Sequence, residues 1–214
     1  MTVHSMPQLG SEAVHQSGNT RSAKLKLLFL LLVSLAPVLA SYFTYYVLRP
    51  EGRRNHGELI EPQRDMPALV GKDVRGQTLP LHQLKDQWLL ISVADIACDD
   101  SCEKHLYLSR QLRESLGKDK ERLDWVWLPM GDGDVPERLL PGLTGAQVVR
   151  LAEADIGAWL QPAPGHKLAD HLYVVDPIGN WMMRFPATAE PAKVRKDLER
   201  LMRGSASWDL AGRP

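Results

Sequence analysis

The longest feature in the hydrophobic pattern is LLFLLLVSLAPVLASYFTYYVL, residues 27–48, which holds no charged side chain. A helix crosses a bilayer with about 20 apolar residues, so this run predicts one transmembrane helix. Ser34, Ser41 and Thr44 are tolerated because a helical hydroxyl bonds back to its own backbone. Tyr42, Phe43, Tyr45 and Tyr46 gather at one end, as in an interfacial aromatic belt. A cleavable leader ending at Ala40 is the rival reading. The apolar run continues past Ala40 to Leu48, which favours an uncleaved anchor. Basic residues flank both ends, so charge does not set the orientation.

Beyond the anchor the pattern changes to short runs. WLLISVAD (88–95) is continuously apolar and suits a buried central strand. EKHLYLSRQLRESLG (103–117) has the spacing of an amphipathic helix, with Gly117 as its stop. LDWVWLPM (123–130) reads as a second strand, 144–160 as containing a helix, and HLYVVDP (171–177) as a third strand. WMMRF (181–185) follows across the turn IGN and pairs antiparallel with it. PAKVRKDLERLMRG (191–204) is a helix between Pro191 and Gly204. LVGKDVRGQTLPLHQLKDQ (69–87) is a small hairpin and turn.

The polar stretches fall outside these elements. Residues 1–26 read as a disordered tail, 49–66 as a linker and 205–214 as a second tail. One domain spans 67–204. The chain has 214 residues with 26 basic and 26 acidic side chains, so it lacks the basic footprint of a nucleic-acid binder.

Only two cysteines are present, Cys98 and Cys102. They stand just after the first strand, where the first helix begins. Unpaired N–H groups and partial positive charge at a helix start stabilise a thiolate there. Asp95, Asp99, Asp100 and Glu103 crowd the pair and oppose that effect. Carboxylates attract a cation, and thiolates with imidazole suit copper. A third ligand is then a histidine, with His171 at the start of the third strand the leading candidate beside His166 and His105. Three chemistries stay open: copper binding, thiol–disulfide exchange, and a structural bridge in a non-catalytic binding module.

The order strand, helix, strand, helix, hairpin, helix gives an α/β, thioredoxin-like sandwich: a mixed sheet of four or more strands with helices on both faces, tethered by one N-terminal transmembrane helix. The anchor, CDDSC after a buried strand, and DHLYVVDPIGNWMMRF late in the chain resemble the Sco/SenC proteins, thioredoxin-like copper-binding assembly factors of cytochrome c oxidase. Asp99 and Glu103 stand where that family has prolines, and Leu168 stands at its histidine position. The resemblance implies copper ligation or thiol–disulfide exchange at Cys98 and Cys102. It implies a bacterial inner-membrane protein with its domain in the periplasm. Its partners would be a cytochrome c oxidase subunit or other assembly factors. The chain also lacks a proline directly before the third strand, which disfavours a general disulfide reductase.

Overall fold

The structure is a computed structural model that describes residues 20–48 and 55–207. The chain divides into a helical unit and a globular unit, with the boundary after Gly52. In the first unit, α1 spans Thr20–Phe43 and a π-helical turn continues it over Thr44–Leu48. One helix, Arg21–Tyr46, is long and apolar enough to cross a membrane. Ser34 Oγ donates to the Leu31 carbonyl at 2.9 Å and Thr44 Oγ1 to that of Ala40 at 2.8 Å, as a hydroxyl in an apolar helix must. Helix formation begins at Thr20, so residues 20–26 of the expected tail are helical. Residues 1–19 of that tail, and 208–214 of the C-terminal one, lie outside the described residues.

The globular unit is a six-stranded mixed sheet in the order β1-β8-β7-β4-β5-β6. Its strands are β1 (Glu58–Asp65), β4 (Trp88–Asp95), β5 (Leu123–Met130), β6 (Gln147–Val148), β7 (Leu172–Val175) and β8 (Asn180–Arg184). A separate hairpin pairs β2 (Val70–Lys72) with β3 (Thr78–Pro80). β4 pairs parallel with β5 and antiparallel with β7, so it is central and its two faces are both covered. Leu89, Ile91 and Val93 point into one cluster with Ile156, Trp159, Tyr173 and Trp181. Trp88 and Leu90 point into the other with Phe185, Val194, Leu198 and Met202. This period-2 alternation splits one apolar run between two cores.

Helices α2 (Asp100–Ser115) and α4 (Pro191–Ser205) line the second face, and the short α3 (Glu153–Trp159) lines the first. α2 buries Cys102, Leu106, Ser109 and Leu112, one stripe at helical spacing. The sandwich expected from the chain is therefore present, with two more strands.

Three boundaries differ from expectation. The stretch 49–66 is not all linker, because β1 occupies Glu58–Asp65 and pairs with β8. β1 is an edge strand, largely exposed and bulged around Pro62, which has no N–H to give a ladder. Its sequence ELIEPQRD carries no alternation, and only the backbone of β8 makes it a strand. The stretch 144–160 contains the expected helix as α3, Glu153–Trp159, but opens with a short strand, β6, at 147–148. The open edge of β5 offers backbone partners there, and the Val149 N–H reaches the Trp127 carbonyl at 3.0 Å. Ser205, the first residue of the expected tail, closes α4 and is buried. Its Oγ accepts from Arg122 Nη2 at 2.8 Å and from Trp88 Nε1 at 3.2 Å.

Candidate functional site

β4 emerges from the sheet at Asp95, and the chain turns at once into α2. Asp95 shapes the turn: its carboxylate accepts the Ala97 N–H at 2.8 Å and its carbonyl accepts the Cys98 N–H at 3.0 Å. Cys98 then sits at φ +49°, in the left-handed region that a residue with a Cβ seldom enters. Asp99 is the N-cap of α2, and its side chain accepts the Cys102 N–H at 2.9 Å. The sequence Cys-Asp-Asp-Ser-Cys thus places one cysteine before the cap and the other in the first turn. Their Cα atoms lie 5.1 Å apart, and the two are joined in a disulfide.

Both sulfur-bearing residues are buried, Cys98 at 1% exposure and Cys102 at 4%. Ala94, Leu106, Trp125, Trp127, Leu139 and Leu143 pack in the same cluster. The charged residues at the corner point outward: Asp95, Asp99, Asp100 and Glu103 are all exposed. The bridge therefore lies in an apolar shell under an acidic surface. Arg138, from the loop after β5, is the cation that enters. Its Nη2 donates to the carbonyls of Ala97 (3.0 Å) and Cys98 (2.8 Å) and lies 3.3 Å from the Glu103 carboxylate. Sequence reasoning passed over it. Its one signal is that it is the single basic residue in the otherwise acidic loop GDGDVPERLLPG.

His171 stands apart from the cysteines. It is buried, with Nδ1 bonded to the Phe185 carbonyl at 2.8 Å and Nε2 accepting the Ala163 N–H at 3.1 Å. Those partners fix the neutral tautomer with its proton on Nδ1. Burial holds its pKa below the ordinary value, and the nearby Arg184 charge adds to that. His166 is half exposed, with Nδ1 3.4 Å from Asp170, and its ring lies edge-on to His171 at 5.3 Å. Burial also holds the pKa of His105, on α2, below the ordinary value. His171 therefore ties the 163–171 loop to the end of β8. Among the described residues, no group of three or more His, Cys, Asp or Glu is arranged to hold a metal ion.

A reduced Cys98/Cys102 pair offers two soft thiolates, the donors copper favours. The imidazole that would make a third is engaged through both its nitrogens. The donors in place do not fit a two-cysteine, one-histidine copper site. What they do fit is a dithiol–disulfide couple: two sulfurs on one turn, at a helix N-terminus, beside a rigid central strand.

The same architecture occurs in solved structures. Copper-bound ScoI from Arabidopsis thaliana superposes with a TM-score of 0.53 at 11% identity, over 65% of this chain and 98% of that one. BsSco, a member of the Sco family of cytochrome c oxidase assembly proteins, gives 0.53 at 11% identity, over 69% and 96%. A thiol:disulfide interchange protein from Bacteroides sp. gives 0.50 at 16% identity, over 67% and 91%. At these identities the likeness is one of fold, shared by Sco proteins and thiol–disulfide oxidoreductases. No curated protein matches the chain. The family described as transmembrane-like, thioredoxin-like, C-terminal domain matches residues 88–205. With more than half of its length matched, from β4 to the end of α4, this chain belongs to that transmembrane-like, thioredoxin-like family.

Proposed function

We propose that this chain is a membrane-anchored, Sco-like protein that serves respiratory oxidase assembly by thiol–disulfide exchange at Cys98 and Cys102. The observation that carries the reading is the disulfide at the junction of β4 and α2. The α1 helix is the anchor, in a bacterial inner membrane, with the globular domain on the periplasmic side. The partner is a cysteine pair of an oxidase subunit or of another assembly factor. BsSco's membership of a family of cytochrome c oxidase assembly proteins supports that setting.

In the chain's dithiol form, one thiolate of the pair attacks a sulfur of the partner's disulfide. The partner's S–S bond breaks, a mixed disulfide forms, and the displaced sulfur leaves as a thiolate that takes up a proton. The second cysteine of the pair then attacks the mixed disulfide. The Cys98–Cys102 bond forms, and the partner leaves as a dithiol. Two electrons pass to the partner, and an upstream dithiol protein returns the chain to its reduced state.

Copper carriage by the reduced pair is the reading that copper-bound ScoI brings to mind. The occupied nitrogens of His171 speak against it. Three measurements decide. Equilibration of the full chain, in detergent, with glutathione redox buffers is expected to give a two-electron response. In cells, a Cys98→Ser/Cys102→Ser double variant is expected to lower oxidase activity. A double variant that supports full oxidase activity sinks the assembly role. A reduced protein that binds one copper per chain, with binding lost in the double variant, replaces exchange with carriage.

A further inference from the structure

The proposed exchange meets an obstacle: neither sulfur is within reach of a second thiol while the residues are 1% and 4% exposed. Something must move. The covering atoms include Leu139 and Leu143, both buried against the cysteines, from the loop between β5 and β6. That loop is built as a unit. Its backbone bonds run within itself: Leu139 N–H to Pro136, Leu140 to Glu137, Leu143 to Leu139, and Ala146 to Leu143. Its polar hold on the cysteine turn comes from one side chain, Arg138, through the Ala97 and Cys98 carbonyls and Glu103. Glycines in the left-handed region stand near its two ends, Gly133 just before it at φ +122° and Gly145 within its last residues at φ +82°. No atom lies within 4 Å of where a Cβ would stand at either, so packing does not demand glycine there and backbone conformation does. Between the loop and α2 runs a groove of about 170 Å³, lined by Leu106, Tyr107, Leu139 and Leu143 and rimmed by Arg110 and Arg138.

We propose that residues 136–146 form a cap over the Cys98–Cys102 disulfide, latched by Arg138, and that a partner thiol reaches the sulfurs only when the cap is released. This rests on the exchange reading and adds to it the element that controls access. The cap opens as one unit, its short internal turn bonds loosening as it leaves the cysteines, with Gly133 and Gly145 supplying the backbone freedom. Release costs the contacts of Arg138 and the burial of two leucines, and leaves the sheet untouched. A docking partner that offers its own acceptors to Arg138 opens the site as it binds, so the disulfide is shielded from small thiols in solution.

The test uses the full chain, oxidised, in detergent micelles. Dithiothreitol is added and free thiols are counted against time. Arg138→Gln is expected to be reduced about tenfold faster than wild type, the scale of one lost charge-assisted hydrogen bond. Arg138→Lys is expected to fall between the two. Removing a positive charge would by itself slow an attacking thiolate, so acceleration reports opening. Equal rates in wild type and Arg138→Gln overturn the cap and leave the exchange reading standing, since the disulfide still reacts. A disulfide that stays oxidised in both overturns the two together. Should Arg138→Gln fail to fold, hydrogen exchange on the wild type decides. The amides of Leu139, Leu140 and Leu143 are expected to exchange together and ahead of those in β4, and protection equal to β4 overturns the cap.

Discussion

The carboxylate of Asp99 accepts the backbone N–H of Cys102 at 2.9 Å, so the residue that starts α2 is bonded to the cysteine that closes the disulfide. Asp99 has two effects of opposite value. As an N-cap it satisfies an orphan donor and favours the helix. As an anion beside the pair it disfavours a thiolate. Substitution separates them. Asp99→Ala is expected to lower the unfolding free energy by about 1 kcal/mol. Asp99→Asn keeps the cap and removes the charge, so it is expected to preserve stability and lower the pKa of the reduced cysteines. Urea melts and the pH dependence of alkylation by iodoacetamide check the pair of outcomes. An alkylation profile that does not move in Asp99→Asn means that the charge is screened.

Asp197 on α4 holds the start of the globular unit. It is buried, and one oxygen accepts the N–H groups of His56 (2.6 Å) and Gly57 (2.9 Å) while the other pairs with Arg200 at 2.9 Å. Asp197→Ala leaves backbone donors without an acceptor where β1 begins. The expected cost is about 2–3 kcal/mol, with Asp197→Asn recovering part of it through its amide oxygen. Denaturant midpoints measure both. A cost below that of the Asp99 cap would mean that β1 is not anchored at this point.

Two histidines, His171 buried and His105 partly buried, give the fold an acid limit. His105 and His171 both have pKa values held below the ordinary 6.5, in each case first by burial. Above pH 6.5 neither the folded nor the unfolded chain carries these protons. Below it the unfolded chain takes them up first, so folded stability falls until the lowered folded values are reached. The unfolding free energy of the globular unit is therefore expected to decline as pH drops below 6.5. His171→Asn, which keeps a donor for the Phe185 carbonyl, is expected to flatten the decline. A profile unchanged in that variant would assign the acid loss to carboxylates instead.

The anchor proposal makes a separate prediction. Full-length chain should sediment with membranes, resist carbonate extraction and be released by detergent. Arginines at Leu31 and Leu35 each cost about 2.5–3.5 kcal/mol near a helix centre on the insertion scale. The double variant is expected to leave the membrane fraction. Protection of the globular unit from added protease in intact spheroplasts would overturn the periplasmic assignment.

The strand at 88–95 was legible as a continuous apolar run, and that at 123–130 from its alternation. A strand buried on both faces has no polar side to interrupt the pattern. Helix α2 was legible to within a few residues from a stripe on one face, and α4 from Pro191 and Gly204 at its ends. The cysteine corner followed from order alone, strand then pair then helix. β1 was not legible. An exposed, bulged edge strand draws its conformation from the backbone of β8, about 120 residues away, and needs no apolar code of its own.

The sequence by itself determined that a membrane-length helix precedes an α/β sandwich, and that its two cysteines sit where a helix begins. Those features depend on local composition and on neighbours a few positions apart. The tertiary structure decided the rest. It turned both nitrogens of His171 toward backbone partners, buried the disulfide, and brought Arg138 from some 40 positions away onto the Cys98 carbonyl. Where a side chain's polar atoms point depends on which loops fold over it, and that is settled by packing across the whole sheet.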